Sequence, residues 1–216
     1  ECGAIVSDAA SSATLNTIQD INGTVGVTGT LTVNLVSDGA GSDDDGQITG
    51  LVTVNSGGAL TVSSNDAVTT LTAGTLVRAN GTFTAGSNIG SAVASTIGDA
   101  SNATAATLDL NGFTFTSKSA VPSMTVVASS AATAPGFGST GTLNILDSGS
   151  IVGATNPTIP NLTLNGGVID SDVTIPGTFT VTAASTGANG DDVTLSGANA
   201  VGQFNANYTS TKGAAG

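Results

Sequence analysis

Histidine and tryptophan are absent from this 216-residue chain, and tyrosine, methionine and cysteine occur once each. Without histidine there is no His-based triad, no imidazole general base and no His-ligated zinc. Cys2 has no partner for an internal disulfide and no histidine to activate it as a papain-like nucleophile. A lone cysteine in an exported chain points to intermolecular pairing or a reactive thiol. Positive charge is nearly missing too: Arg78, Lys118 and Lys212 face fifteen acids, for a net charge of −12. Three scattered cations make no basic patch, so neither a nucleic-acid partner nor an anionic membrane surface is expected. The glycine-rich stretches lack the lysine of a phosphate-cradling loop. No apolar run reaches 18 residues, so no membrane insertion is expected.

Aromatic residues make up 3% and charged residues 8% of the chain, the latter against roughly 25% in an average soluble domain. Apolar residues still amount to 39%, enough for a core. With so few aromatics, that core is expected to be aliphatic, thin and layered. Low charge with many β-branched residues argues against disorder. The acidity gives solubility and mutual repulsion that salt or divalent cations would relieve. Scarce lysine and arginine also suit a chain exposed to secreted proteases, so an extracellular or cell-surface location is expected.

What is present is alternation. "TLTVNLV" (30–36), "LVTV" (51–54), "ALTV" (59–62), "TLDL" (107–110), "FTFT" (113–116), "TLNIL" (142–146), "NLTL" (161–164), "DVTI" (172–175), "TFTVT" (178–182) and "DVTL" (192–195) place apolar residues between Thr, Asn or Asp. Each reads as a strand with one buried face. Only Ser7–Ile21 offers a short helix, with Leu15 and Ile18 three apart. The chain is therefore expected to be all-β.

Asn-Gly at 22–23, 80–81, 111–112, 165–166 and 189–190, and Gly-Gly at 57–58 and 166–167, mark sharp corners where positive φ is tolerated. These corners could close antiparallel hairpins. "LDLNGFTF" passes that test, setting Leu110 opposite Phe113 and Leu108 opposite Phe115. "RANGTF" and "DINGTV" fail it, opposing Arg78 to Phe83 and Asp20 to Val25. Corners of a parallel β-solenoid fit better. "GALTV" (58–62), "GTFTA" (81–85), "GTLNI" (141–145) and "GTFTV" (177–181) vary one phrase, and Leu143, Leu162 and Phe179 stand 19 and 17 residues apart. From Phe179 the interval shortens to Val193. A β-sandwich or jelly-roll is the competing architecture. Residues 1–29 read as an N-terminal segment able to act as an inter-subunit strand, and 30–216 as a single β domain.

"LVTVNSGGALTV" (51–62), "ATLDLNGFTFT" (106–116) and "NLTLNGGVID" (161–170) resemble the repeats of bacterial autotransporter passengers and related extracellular β-helical surface proteins, over about Leu51–Ser196. The resemblance implies a parallel β-helix at a cell surface. The chain departs from that pattern in its small size, its irregular first third and the lack of a translocation domain.

Carboxylates are the only abundant reactive groups. Asp170 and Asp172 lie on one face of "VIDSDVTI", and Asp191 and Asp192 are adjacent. Such pairs could hydrolyse a polysaccharide, but no base lies near to hold an acidic sugar. In "SDGAGSDDDGQ" (37–47), Asp38, Asp43, Asp44 and Asp45 could converge on Ca²⁺, without EF-hand spacing; no other cofactor is expected. Asn22, Asn80, Asn102, Asn161 and Asn207 open Asn-x-Ser/Thr sequons and are candidates for surface glycans. Outward threonines in "TFT" (82–84), "FTFT" and "TFTVT" could order water if they formed a flat array, although their spacing in sequence is irregular.

No catalytic signature emerges. The expected function is that of an extracellular structural protein, a self-assembling subunit of a surface filament, sheath or layer. A monomeric adhesin or glycan-binding module is the alternative, and a polysaccharide-degrading β-helix enzyme a third reading.

Overall fold

The computed structural model describes residues 4–17, 20–36, 46–117, 124–146, 150–153, 156–165, 167–170, 173–182, 193–196 and 200–207. The chain runs through them in repeated circuits. The first holds β1 (Ile5–Ser7) and β2 (Ser12–Thr17); the second β3 (Val25–Val27), β4 (Thr30–Leu35) and β5 (Gln47–Ile48). The third holds β6 (Val52–Val54), β7 (Ala59–Ser64) and β8 (Thr69–Leu71), and the fourth β9 (Thr75–Val77), β10 (Thr82–Ala85) and β11 (Ile89–Ser91). Next come β12 (Ser95–Ile97), β13 (Thr107–Asp109) and β14 (Thr114–Ser117), then β15 (Met124–Val126) and β16 (Thr142–Leu146). The last circuits are β17 (Ser150–Val152) and β18 (Leu162–Asn165), β19 (Gly167–Asp170) and β20 (Thr174–Thr182), and β21 (Val193–Ser196) and β22 (Ala200–Asn207).

Three sheets collect these strands. Sheet I orders β1-β3-β6-β9-β12-β15-β17-β19-β21, sheet II β2-β4-β7-β10-β13, and sheet III β5-β8-β11-β14-β16-β18-β20-β22. Every strand pairing in them is parallel, such as β4 on β7 and β16 on β18. Single bridges through Thr107, Gly136, Thr158 and Thr174 prolong the line of sheet II, and Ile21 pairs with Ile48 at the start of sheet III. The all-β expectation therefore holds, with three stacked parallel sheets that are consistent with a solenoid.

Three readings of the sequence are corrected. A sandwich or jelly-roll would need antiparallel ladders, and the described residues have none. "LDLNGFTF" does form its turn, with the Phe113 N–H donating to the Leu110 carbonyl at 2.8 Å and positive φ at Asn111 and Gly112. It makes no hairpin: β13 pairs with β10 in sheet II, while β14 pairs with β11 and β16 in sheet III. Among the described residues of Ser7–Ile21 the expected helix is absent as well. Ala13 and Leu15 lie in register with Leu31 and Val33, so β2 forms as the flank of β4. Non-local pairing overrides the three-residue spacing that suggested a helix.

The core sits between the sheets as columns of like residues. Leu31, Leu60, Phe83 and Leu108 stack through sheet II, and Ile89, Phe115, Leu143, Leu162 and Phe179 through sheet III. The 19- and 17-residue steps from Leu143 to Phe179 are thus true circuits. Val193 is not the next step, since it pairs with Gly167 in sheet I and Phe179 pairs with Phe204. The interior is layered but not purely aliphatic: Phe83, Phe115, Phe137 and Phe179 are fully buried. Phe83 and Phe115 meet edge to face, with centroids 6.5 Å apart at 87°.

The glycine-led phrase marks corners rather than a repeat unit. Gly58 and Gly81 precede sheet II strands and Gly141 precedes a sheet III strand, whereas Gly177 lies within β20 at its register irregularity. At Gly58 a Cβ would lie 2.5 Å from the Val27 carbonyl oxygen of the circuit below, so nothing larger fits. Within residues 1–29, β1 pairs with β3 and β2 with β4, which makes residues 5–17 the first circuit of the stack.

Candidate functional site

The described acids work at corners. Asp20 accepts the Gln47 N–H at 2.9 Å, joining two circuits. Asp109 accepts the Asn111 N–H at 3.0 Å, and Asp66 accepts the Ser64 hydroxyl at 3.1 Å. The carboxylates of Asp66 and Asp109 therefore close turns, while that of Asp20 ties one circuit to another. Among the described residues no group of three acids, cysteines or histidines is placed to hold a metal ion. The calcium candidates Asp38, Asp43, Asp44 and Asp45 lie outside the described residues, as do Cys2, Asp172, Asp191 and Asp192. Asp170 ends β19, in register with Val152 and Ser196.

Asp99 anchors the most connected corner. Its carboxylate meets Arg78 Nη1 at 3.3 Å, the one ion pair among the described residues. It also accepts the Ser101 N–H at 2.9 Å, the Ser101 hydroxyl and the Ala79 N–H. Desolvation pushes the Asp99 carboxyl up. The hydrogen bonds from Ser101, Ala79 and Arg78 outweigh it and hold the group below its ordinary value of 3.8. A depressed folded-state pKa contributes stability above the ordinary value that is lost as pH falls through the folded one. Asp99→Asn is therefore expected to lower the unfolding free energy from urea titration at pH 7 by about 1 kcal/mol or less for so exposed a pair. The difference should shrink as pH drops below 3.8.

The sequon asparagines divide. Asn161 is built into the stack: its Nδ2 donates to the Gly141 carbonyl at 2.7 Å and its Oδ1 accepts the Thr178 N–H at 2.8 Å. Asn102 Nδ2 donates to Ser56 Oγ at 3.3 Å, and its Oδ1 accepts the Thr104 N–H. A glycan on either amide would break a link between circuits. Asn22 and Asn80 are exposed on corners and carry no such duty. Asn207 closes β22, and its side chain lies outside the described residues.

Among the described residues two surfaces without partners stand out. The first is the open end formed by β1 and β2, each with one neighbour only. The Ile5 N–H donates to Thr24 and the Ser7 carbonyl accepts from Thr28, so Ile5 and Ser7 face β3. Strand alternation then directs the N–H and C=O of Val6 to the free edge. On β2 the carbonyls of Ser11 and Thr17 accept from the β4 side, which leaves Ser12, Thr14 and Asn16 directed outward along the edge. A groove between the two strands is floored by Ile5, Leu15 and Leu31, and Val6 is 77% exposed beside it.

The second is the outer surface of sheet II. Thr14, Thr32, Thr61 and Thr84 form one column in register, ending at Asp109. Ser12, Thr30, Ala59, Thr82 and Thr107 form the next. Asn16, Asn34 and Ser63 border them as a hydrogen-bonded ladder at 2.8 and 2.6 Å. Sequence inspection found the threonines but not their register, because corner insertions of unequal length hide it.

Among the described residues no helix is long and apolar enough to cross a membrane. No protein-family model, curated protein or solved structure matches the chain.

Proposed function

We propose that this chain is a β-solenoid open at both ends, and that it serves as an extracellular structural protein: a subunit that assembles end on end into a surface filament, sheath or layer. The supporting observation is the unpartnered first circuit. Four residues of β1 and β2 direct backbone donors and acceptors to an edge that carries no lysine, proline or covering segment among the described residues. Soluble monomers usually blunt such edges. At the opposite end β21 and β22 are the last strands of sheets I and III. Stacking the first circuit of one copy on the last circuit of another continues the parallel ladders, and such a head-to-tail contact propagates into an open filament. The turn-closing roles of Asp66, Asp99 and Asp109 support a non-enzymatic reading. The exposed side-chain amides of Asn22 and Asn80, which tie no circuits together, leave room for surface glycans, and Cys2 would offer a covalent lock between copies.

Val6→Pro tests the assembly. Proline removes the edge N–H at a position whose own ladder needs no donor. Sedimentation velocity should show wild-type chain growing with concentration, and Val6→Pro remaining monomeric with unchanged far-ultraviolet circular dichroism. Wild-type chain that stays monomeric at every concentration, with or without calcium, would instead favour the adhesin or glycan-binding module.

A further inference from the structure

We propose that the outer surface of sheet II binds an ordered water lattice, the face of an ice crystal. This reading is independent of assembly. It rests on two adjoining columns that run across five strands. Of their ten positions seven are threonine, and the others are Ser12, Ala59 and Asp109. No register shift interrupts them, in contrast to the irregularity between Ile175 and Thr178 in sheet III. In-register parallel strands set neighbours within a column about 4.8 Å apart, and the i, i+2 pairs within a strand about 6.6 Å apart. The result is a rectangular grid of hydroxyls and methyls on the scale of the oxygen repeats of hexagonal ice.

Chemistry supports the same occupant. The hydroxyls of Thr14, Thr30, Thr32, Thr61, Thr82 and Thr84 have no protein partner, so each offers a donor and lone pairs to water. Ordered water held between such groups loses little hydrogen bonding relative to a direct contact. The methyls between them shape a trough without competing for those bonds. Charge, which would impose its own hydration geometry, enters only at Asp109 on the far edge of the grid. A crystalline polysaccharide would be the other repetitive solid to fit a regular face, but sugar rings stack on aromatic side chains. Phe83, Phe115, Phe137 and Phe179 are buried, and Phe113 sits partly buried outside the grid.

The other sheets lack this regularity. Outward positions of sheet I read Val6, Gly26, Thr53, Leu76, Thr96 and Thr125. Those of sheet III are broken by Gly90 and Asn144.

Freezing hysteresis and ice-crystal shaping test the proposal on the full chain, with Thr61→Tyr at the centre of the grid and Thr125→Tyr on sheet I as control. Wild type and Thr125→Tyr are expected to show hysteresis, and Thr61→Tyr to lose most of it while melting as wild type does. Should Thr61→Tyr melt early, Thr84→Tyr on the adjacent strand carries the same expectation. Wild type without hysteresis would overturn the proposal, and so would full activity in both grid variants or equal loss in the sheet I control. Co-sedimentation of wild type with crystalline cellulose or chitin, in the absence of hysteresis, would assign the face to a glycan instead.

Discussion

Gly98→Ala is expected to melt on the order of 10 °C below wild type, whereas Gly57→Ala falls only a few degrees. Both glycines have positive φ, 98° and 82°. Left-handed backbone costs an alanine about 1–2 kcal/mol at either position. The difference lies in the neighbours. At Gly57 an added Cβ has open space, its nearest contact being Asn80 Nδ2 at 3.9 Å. At Gly98 it would collide with the Val127 carbonyl of the next circuit, with the Pro135 ring 3.1 Å away on another side. Neither can yield cheaply. The Gly98 N–H is also tied to the Val77 carbonyl at 2.7 Å, so relief of the collision would break the contact with the circuit below. Strain plus displacement brings the cost above about 3 kcal/mol, in the range where single substitutions reveal a specific mechanism. Thermal melts of the two variants side by side check this, and equal shifts would mean that circuits do not press together at that corner.

Phe83→Ala is the second large effect. The ring is fully buried between Leu60 and Leu108 in its column and stands edge to face with Phe115. Truncation of a buried phenylalanine costs about 3–5 kcal/mol, and the ring pair contributes about 0.5–1.5 kcal/mol of specific geometry. In a stack each circuit touches only its neighbours, so the cavity weakens both adjoining interfaces. Guanidinium unfolding should therefore show a lowered midpoint, and a broadened or split transition as the halves of the stack uncouple. Phe83→Leu keeps most of the volume and should cost about 1.5 kcal/mol or less.

Much of this architecture was legible in the residues. Alternation located β4, β7, β16 and β18 within a residue or two. The intervals among Leu143, Leu162 and Phe179 gave real circuits, because the corners between them are short. Elsewhere the same logic failed for physical reasons. β8, β9, β11 and β12 are three residues long, too short to alternate visibly. β2 contains Ser, Ala, Thr, Leu and Asn, and becomes a strand through partners 18 positions away. At Asn111-Gly112 the local turn was read correctly, but the destination of the next strand is decided by the column it completes. The threonine grid was hidden for a related reason. Steps of 18 and then 29 residues along its bordering ladder look irregular in sequence and become regular only once the extra residues leave at corners.

Cryo-electron microscopy with diffraction analysis of material assembled from the full chain tests end-on stacking most directly. Copies continuing one another's sheets would give a strand repeat of about 4.8 Å along the filament axis, unbroken across subunit junctions. Discrete particles at all concentrations, or filaments whose strand repeat runs across the axis, would contradict it.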